Sequence, residues 1–150
     1  KILGLSHGPI HAEVRLSETK CYVIDLAARS IGGLCARTLS FGSGLGLEEI
    51  LISHSVGAAI QTKGDAEGAS GVMMIPIPSQ GTYMGVQGLD HARAVEGIEE
   101  VTMSVAKGDS LIPLPRGNEY LGFIFSRAAN PEAAEEALRQ AHGFLEFDIG

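Results

Sequence analysis

The chain has 150 residues, of which 45% are hydrophobic, and a formal net charge of −7. That length suits one domain or two small ones, and with no Lys/Arg-rich run to offset the acidity a nucleic-acid surface is excluded. No apolar run approaches the roughly 20 residues needed to span a bilayer, and no signal-peptide pattern is present, so no membrane partner is expected. Only 5% of the residues are aromatic and Trp is absent, so any core must be built from Leu, Ile, Val, Ala and Met. Two cysteines, Cys21 and Cys35, lack metal-type spacing and fit a reduced, cytoplasmic setting. The first residues, Lys1-Ile2-Leu3-Gly4-Leu5, lack an initiator Met and read as the start of a piece excised from a longer protein.

The first pattern in chain order is a pair of period-two runs, residues 11–16 and 22–29, each the signature of a half-buried strand. The linker Ser17-Glu18-Thr19-Lys20-Cys21 suits a hairpin turn. Closure about Thr19 sets Glu13 opposite Asp25, on a face shared with His11, Arg15 and Arg29. Ile10, Ala12, Val14, Leu16, Tyr22, Ile24, Leu26 and Ala28 are then expected on the other face. Like charges directly opposed on a sheet face are destabilising, unless a cation sits between them or one acid holds a proton. One or two carboxylates, completed by water and phosphate oxygens, are the usual holders of Mg²⁺. Spacing therefore leaves two readings open: a divalent-cation site with Arg29 as a fork for an anion, or a solvated face on which Arg15 and Arg29 neutralise the acids. His11, two residues before Glu13, is a candidate to orient a substrate or hydrogen-bond an acid.

Beyond the hairpin, the Gly32-Gly33 pair reads as a turn, and residues 40–46 as a flexible Gly-rich loop. Leu47, Ile50, Leu51 and His54 recur at helical spacing, and Gly57 stands at the C′ position. Residues 62–70 are small and polar and make the best linker, dividing the chain into 1–61 and 71–150. In the second part, the prolines after residues 71–75 confine that strand to an edge. Residues 83–87 form a strand, a short helix capped by Asp90 ends at Gly97, and residues 100–105 alternate. Lys107 to Ser110 make a turn and Leu111 to Pro115 run extended. Tyr120 to Phe125 is apolar on both faces and should be central. Asn130 and Pro131 are the N-cap and N1 of a helix whose stripe is Ala134, Ala137, Leu138 and Ala141, and a strand over 144–149 closes the chain. Strands and helices without βαβ alternation read as α+β, a mostly antiparallel sheet with flanking helices.

The pattern Gly-x-x-His-Gly-Pro-x-His-x-Glu followed by Ile-Asp-x-Ala-Ala-Arg-x-x-Gly-Gly resembles the C-terminal edge of an ATP-grasp catalytic core. Residues from about 69 to 149 are similar to the C-terminal domain of L-amino-acid-ligase-like and biotin-carboxylase-like members. The resemblance implies the end of an ATP-grasp lobe, with a metal-binding hairpin and helix, joined to a small C-terminal α+β domain. It implies that Glu13 and Asp25, twelve residues apart, hold the Mg²⁺ (or Mn²⁺) of ATP, and that Arg29 contacts the transferred phosphate. Asp at position 25 in place of the family's Glu shortens the reach, and Ala27 in place of the common Asn removes one ligand. The implied activity is that of a fragment of a carboxylate–amine ligase working through an acyl phosphate on a small carboxylate and an amine, amino acids among them. A glycinamide-ribonucleotide-synthetase or carboxylase type is the related alternative, and a non-catalytic assembly module the unrelated one. The Gly-rich nucleotide loop, the lysines and the adenine pocket of such enzymes lie upstream of these motifs, so this piece alone is expected neither to bind ATP tightly nor to turn over. The paired apolar strands offer a surface on which a homodimer could form.

Overall fold

In the computed structural model, which describes residues 3–41, 44–60 and 68–150, the chain divides into two compact units, Lys1–Ala66 and Glu67–Gly150. The architecture is α+β, and all strand pairs are antiparallel.

The first unit opens with the expected hairpin, β1 (His11–Leu16) and β2 (Cys21–Ala27). Its four-residue turn is tied by the Ser17 N–H donating to the Lys20 carbonyl at 2.8 Å. A one-turn 3₁₀ helix over Leu34–Thr38 follows. Where the sequence reads as a flexible loop, β3 (Ser40–Phe41) instead pairs with β4 (Leu45–Gly46), while Gly42 and Ser43 of that loop lie outside the described residues. Helix α1 (Leu47–Ser55) half-buries Leu47, Ile50, Leu51 and His54, the stripe read from the sequence. The Gly46 N–H donates to the Glu49 carboxylate at 2.8 Å, which satisfies one of the amides that a helix N-terminus leaves free. Gly57, with φ +70°, ends the helix, since a left-handed residue there closes the last carbonyls.

The expected linker, residues 62–70, lies largely outside the described residues, and its last two positions already belong to a strand, β5 (Ala69–Ile75). The second unit holds two three-stranded sheets. In one, β9 (Gly122–Ala128) runs between β5 and β7 (Ile98–Met103). The apolar run read as central is central, and the strand ahead of Pro76 is an edge, because proline cannot donate to a ladder. In the other, β6 (Gly81–Gln87) lies between β10 (Glu146–Ile149) and the two-residue β8 (Ser110–Leu111). The expected extended run from Leu111 to Pro115 is shorter than that, because the chain turns at residues 114–116.

Helix α3 (Pro131–Gly143) packs on β5 and β9. It starts as expected: the Asn130 side-chain oxygen accepts from the Ala133 N–H at 2.8 Å, with Pro131 at the first helical position. Ala134, Ala137, Leu138 and Ala141 are all buried. The core joins Leu138 and Ala141 to both sheets through Ile75, Tyr83, Val101, Leu121 and Ile124. Buried Ser126 donates to the Ala134 carbonyl at 3.0 Å, which ties the start of α3 to β9. The short helix α2 (Leu89–Arg93) corrects one expectation: its cap is Gly88, and Asp90 sits inside the first turn. Gly88 has φ +83°, and a Cβ there would collide with the Phe144 carbonyl, so only glycine meets both demands.

Candidate functional site

The geometry of interest is in the first unit. Glu13 stands directly opposite Asp25 in the hairpin, as do His11 and Ala27, and Ala12 and Leu26. One step toward the turn the register shifts: Val14 pairs with Val23, Arg15 with Tyr22 and Leu16 with Cys21, so Ile24 is the extra residue of a β-bulge. This corrects the expected distribution of side chains. A period-two pattern assigns Tyr22 to the apolar face, but one inserted residue exchanges faces for everything beyond it. Tyr22 therefore falls opposite Arg15, on the acids' side of the ladder.

Directly opposed residues of an antiparallel pair have Cβ atoms roughly 4.5–5.5 Å apart, close enough for two oxygens to reach one ion. Both carboxylates are exposed. Among the described residues neither takes part in an ion pair or hydrogen bond, and Arg15 and Arg29 do not pair with them. The Arg29 guanidinium instead donates to the Ser30 carbonyl at 3.0 Å, just past the end of β2. No group of three or more His, Cys, Asp or Glu side chains comes together among the described residues. A divalent cation at this point would find two facing carboxylates as hard oxygen donors, with the remaining positions left to water and phosphate. This suits Mg²⁺ or Mn²⁺, and with no third protein ligand to close a structural cage it does not suit zinc.

His11 lies at the start of the same strand, half-buried, and its Nδ1 is buried without a hydrogen-bond partner. An unsatisfied buried polar atom costs about 1–3 kcal/mol. His11 lines a cleft of about 450 Å³ together with Pro9, Ile10, Ser30, Ile31 and Leu47. Of these, sequence reasoning singled out only His11 as a site candidate; Pro9 belongs to the same motif and Leu47 to the helical stripe, and the set meets only through the fold. The available signal was position, since Ser30 and Ile31 directly follow the arginine. The His7 ring lies 4.2 Å from that of His54 on α1, tilted by 32°. Cys21 at the hairpin tip and Cys35 are both unpaired thiols.

Among solved structures, the chain is similar to an L-amino acid ligase from Bacillus licheniformis, with 24% identity and a TM-score of 0.78 over 99% of this chain and 38% of that one. It is similar also to a phosphoribosylglycinamide synthetase from Anaerococcus prevotii, with 15% identity and a TM-score of 0.79 over 99% of this chain and 38% of that one. A third likeness is to the biotin carboxylase domain dimer of Hydrogenobacter thermophilus 2-oxoglutarate carboxylase in complex with MgADP, ADP and bicarbonate. There the identity is 17% and the TM-score 0.62, over 92% of this chain and 31% of that one. At these identities the likeness establishes the fold, and the chain spans 38% of the length of the first two structures. No curated protein matches it. Residues 73–150 match the family model of L-amino acid ligase C-terminal domain 2, just over half of the chain, and with that match the chain belongs to the L-amino acid ligase C-terminal domain 2 family.

Proposed function

We propose that the chain is part of an ATP-dependent carboxylate–amine ligase and that its hairpin supplies the metal clamp for the nucleotide. The observation that carries this reading is the Glu13–Asp25 pair, opposed in register with no cationic side chain between them among the described residues. In the reaction, a substrate carboxylate oxygen attacks the γ-phosphorus of ATP and ADP leaves. An amine then attacks the acyl carbon, phosphate leaves, and the amine loses a proton. A divalent cation, when bound, neutralises charge on the β- and γ-phosphate oxygens. Glu13 and Asp25 fix that charge at one point of the hairpin. Arg29 follows β2 within reach of the same end and presents a planar fork to the phosphoryl group. His11, on the strand of Glu13, positions a substrate. The ATP, the carboxylate and the amine are the partners of the whole enzyme, and a homodimer is its proposed assembly. Its place is the cytoplasm, where Cys21 and Cys35 stay reduced; among the described residues no helix is long and apolar enough to cross a membrane.

The test is substitution in the full-length enzyme. Glu13→Ala and Asp25→Ala should each lower ATP turnover at least 100-fold and raise the Mg²⁺ concentration needed for half-maximal rate. Both side chains are exposed, so the melting temperature should hold. Turnover within a factor of three of the parent for both variants would sink the clamp.

A further inference from the structure

A small cavity of about 210 Å³ in the second unit gathers four polar side chains, Ser110, Arg116, Asn118 and Glu119, around the apolar Ile77 and Ile112. Among the described residues the four make no hydrogen bond or ion pair with one another. Arg116 and Glu119 therefore bring opposite charges to one cavity without closing on each other. The Arg116 guanidinium instead donates to the Gln80 side-chain oxygen at 3.1 Å, which holds it from a separate turn. The loop from Ile112 to Glu119 is fixed by its own backbone. The Arg116 and Gly117 amides both donate to the Pro113 carbonyl, at 3.2 and 2.9 Å, and a Cβ on Gly117 would collide with the Ile112 carbonyl.

A guanidinium offers a planar fork to a carboxylate, and a carboxylate accepts charge-assisted hydrogen bonds from an ammonium. A simple anion here would face the Glu119 carboxylate, and a simple cation the Arg116 guanidinium, so each meets a like charge. A zwitterion meets two opposite ones. Exposed charge contacts are weak singly, so a ligand gains by making both. The volume lies below the roughly 300–1,000 Å³ typical of small-molecule sites, which limits the ligand to a small one. We propose that this cavity binds a small free α-amino acid as its zwitterion. Its carboxylate meets Arg116, its ammonium meets Glu119, and its side chain rests on Ile77 and Ile112. Ser110 and Asn118 supply further hydrogen bonds. The site shares no residue with the hairpin or with the cleft beside it, and it does not rest on the ligase reading.

The test is a titration of the isotope-labelled full-length protein with L-alanine, read residue by residue from backbone amide signals. The amides of residues 110–112 and 116–119 should shift saturably. L-Alaninamide, which lacks the carboxylate, and N-acetyl-L-alanine, which lacks the ammonium, should each bind roughly tenfold more weakly or worse at these residues. L-Phenylalanine should be weaker by a similar factor, on grounds of size. Arg116→Gln and Glu119→Gln should each weaken L-alanine at these residues by roughly tenfold or more. Both side chains are exposed, so the melting temperature should hold in either variant. Shifts confined to other parts of the protein overturn the site. So does L-alaninamide or N-acetyl-L-alanine binding as tightly as L-alanine, because the zwitterion is then not what is recognised. Unchanged L-alanine affinity at residues 110–119 in both variants overturns it as well. None of these results bears on the metal clamp, which is read from Mg²⁺ dependence.

Discussion

The two units use similar amounts of apolar sequence to different ends. In the second, the helix α3 stripe and the strands bury one another, and Leu138 is only 6% exposed. In the first, Ala36 is the one fully buried hydrophobic residue among those described, while Leu16 is 74% exposed and Ile24 67%. Period-two alternation produces a strand in both places, but burial also needs a covering layer. The second unit supplies its own in α3, whereas among the described residues the hairpin of the first packs extensively only strand against strand. The second unit thus buries a core of its own, and among the described residues the first exposes two opposed carboxylates and an arginine beside a cleft.

The contrast can be broken most sharply by paired truncations. Leu138→Ala removes a buried side chain from the meeting point of α3 and β5 and should cost about 2–5 kcal/mol, read from the denaturant midpoint. Leu16→Ala, the same chemical change in the hairpin, should stay within about 0.5 kcal/mol. Equal costs would erase the distinction between the units. A smaller effect is expected at the start of α3, where Asn130→Ala should cost about 1 kcal/mol by releasing the Ala133 amide. The smallest is alkaline. Burial holds the Tyr83 phenol above its ordinary value of about 10. Below pH 10 both the folded and unfolded states are protonated and the group is neutral to stability differences with pH. As pH rises past 10 the unfolded chain loses the proton first, so stability falls until the folded-state value is passed. Tyr83→Phe should flatten that decline in alkaline thermal scans of the second unit and leave the neutral region's slope unchanged.

What could be read from residues alone follows the same division. The N-cap at Asn130, the stripe of α3 and the central place of Tyr120 to Phe125 were legible, because capping chemistry, a 3.6-residue period and apolarity on both faces are local signals. The Glu13–Asp25 pairing was legible too, although by a different route from the one that forms it: the turn pairs Leu16 with Cys21 rather than with Tyr22, and the bulge at Ile24 brings Asp25 opposite Glu13. The bulge at Ile24 was not: alternation before and after one inserted residue looks continuous in sequence, and only the ladder shows that Tyr22 has changed sides. The cap of α2 was misassigned because Asp90 has a capping side chain, whereas the position is decided by the close approach of the Phe144 carbonyl to Gly88. The short β3–β4 ladder was missed because two residues carry no period. The cleft was invisible for a different reason: its walls come from the start of β1, the segment after β2 and the start of α1, which no spacing connects.

The claim on which the rest depends is that the hairpin acids hold a divalent cation. Paramagnetic broadening by Mn²⁺ tests it directly, because the effect falls steeply with distance and needs no turnover. In the full-length enzyme with ADP present, Mn²⁺ should broaden the backbone amide signals of residues 12–14 and 24–26 before any in the second unit, and Glu13→Ala combined with Asp25→Ala should abolish that pattern. Broadening centred elsewhere in the chain, or unchanged in the double variant, would contradict the account.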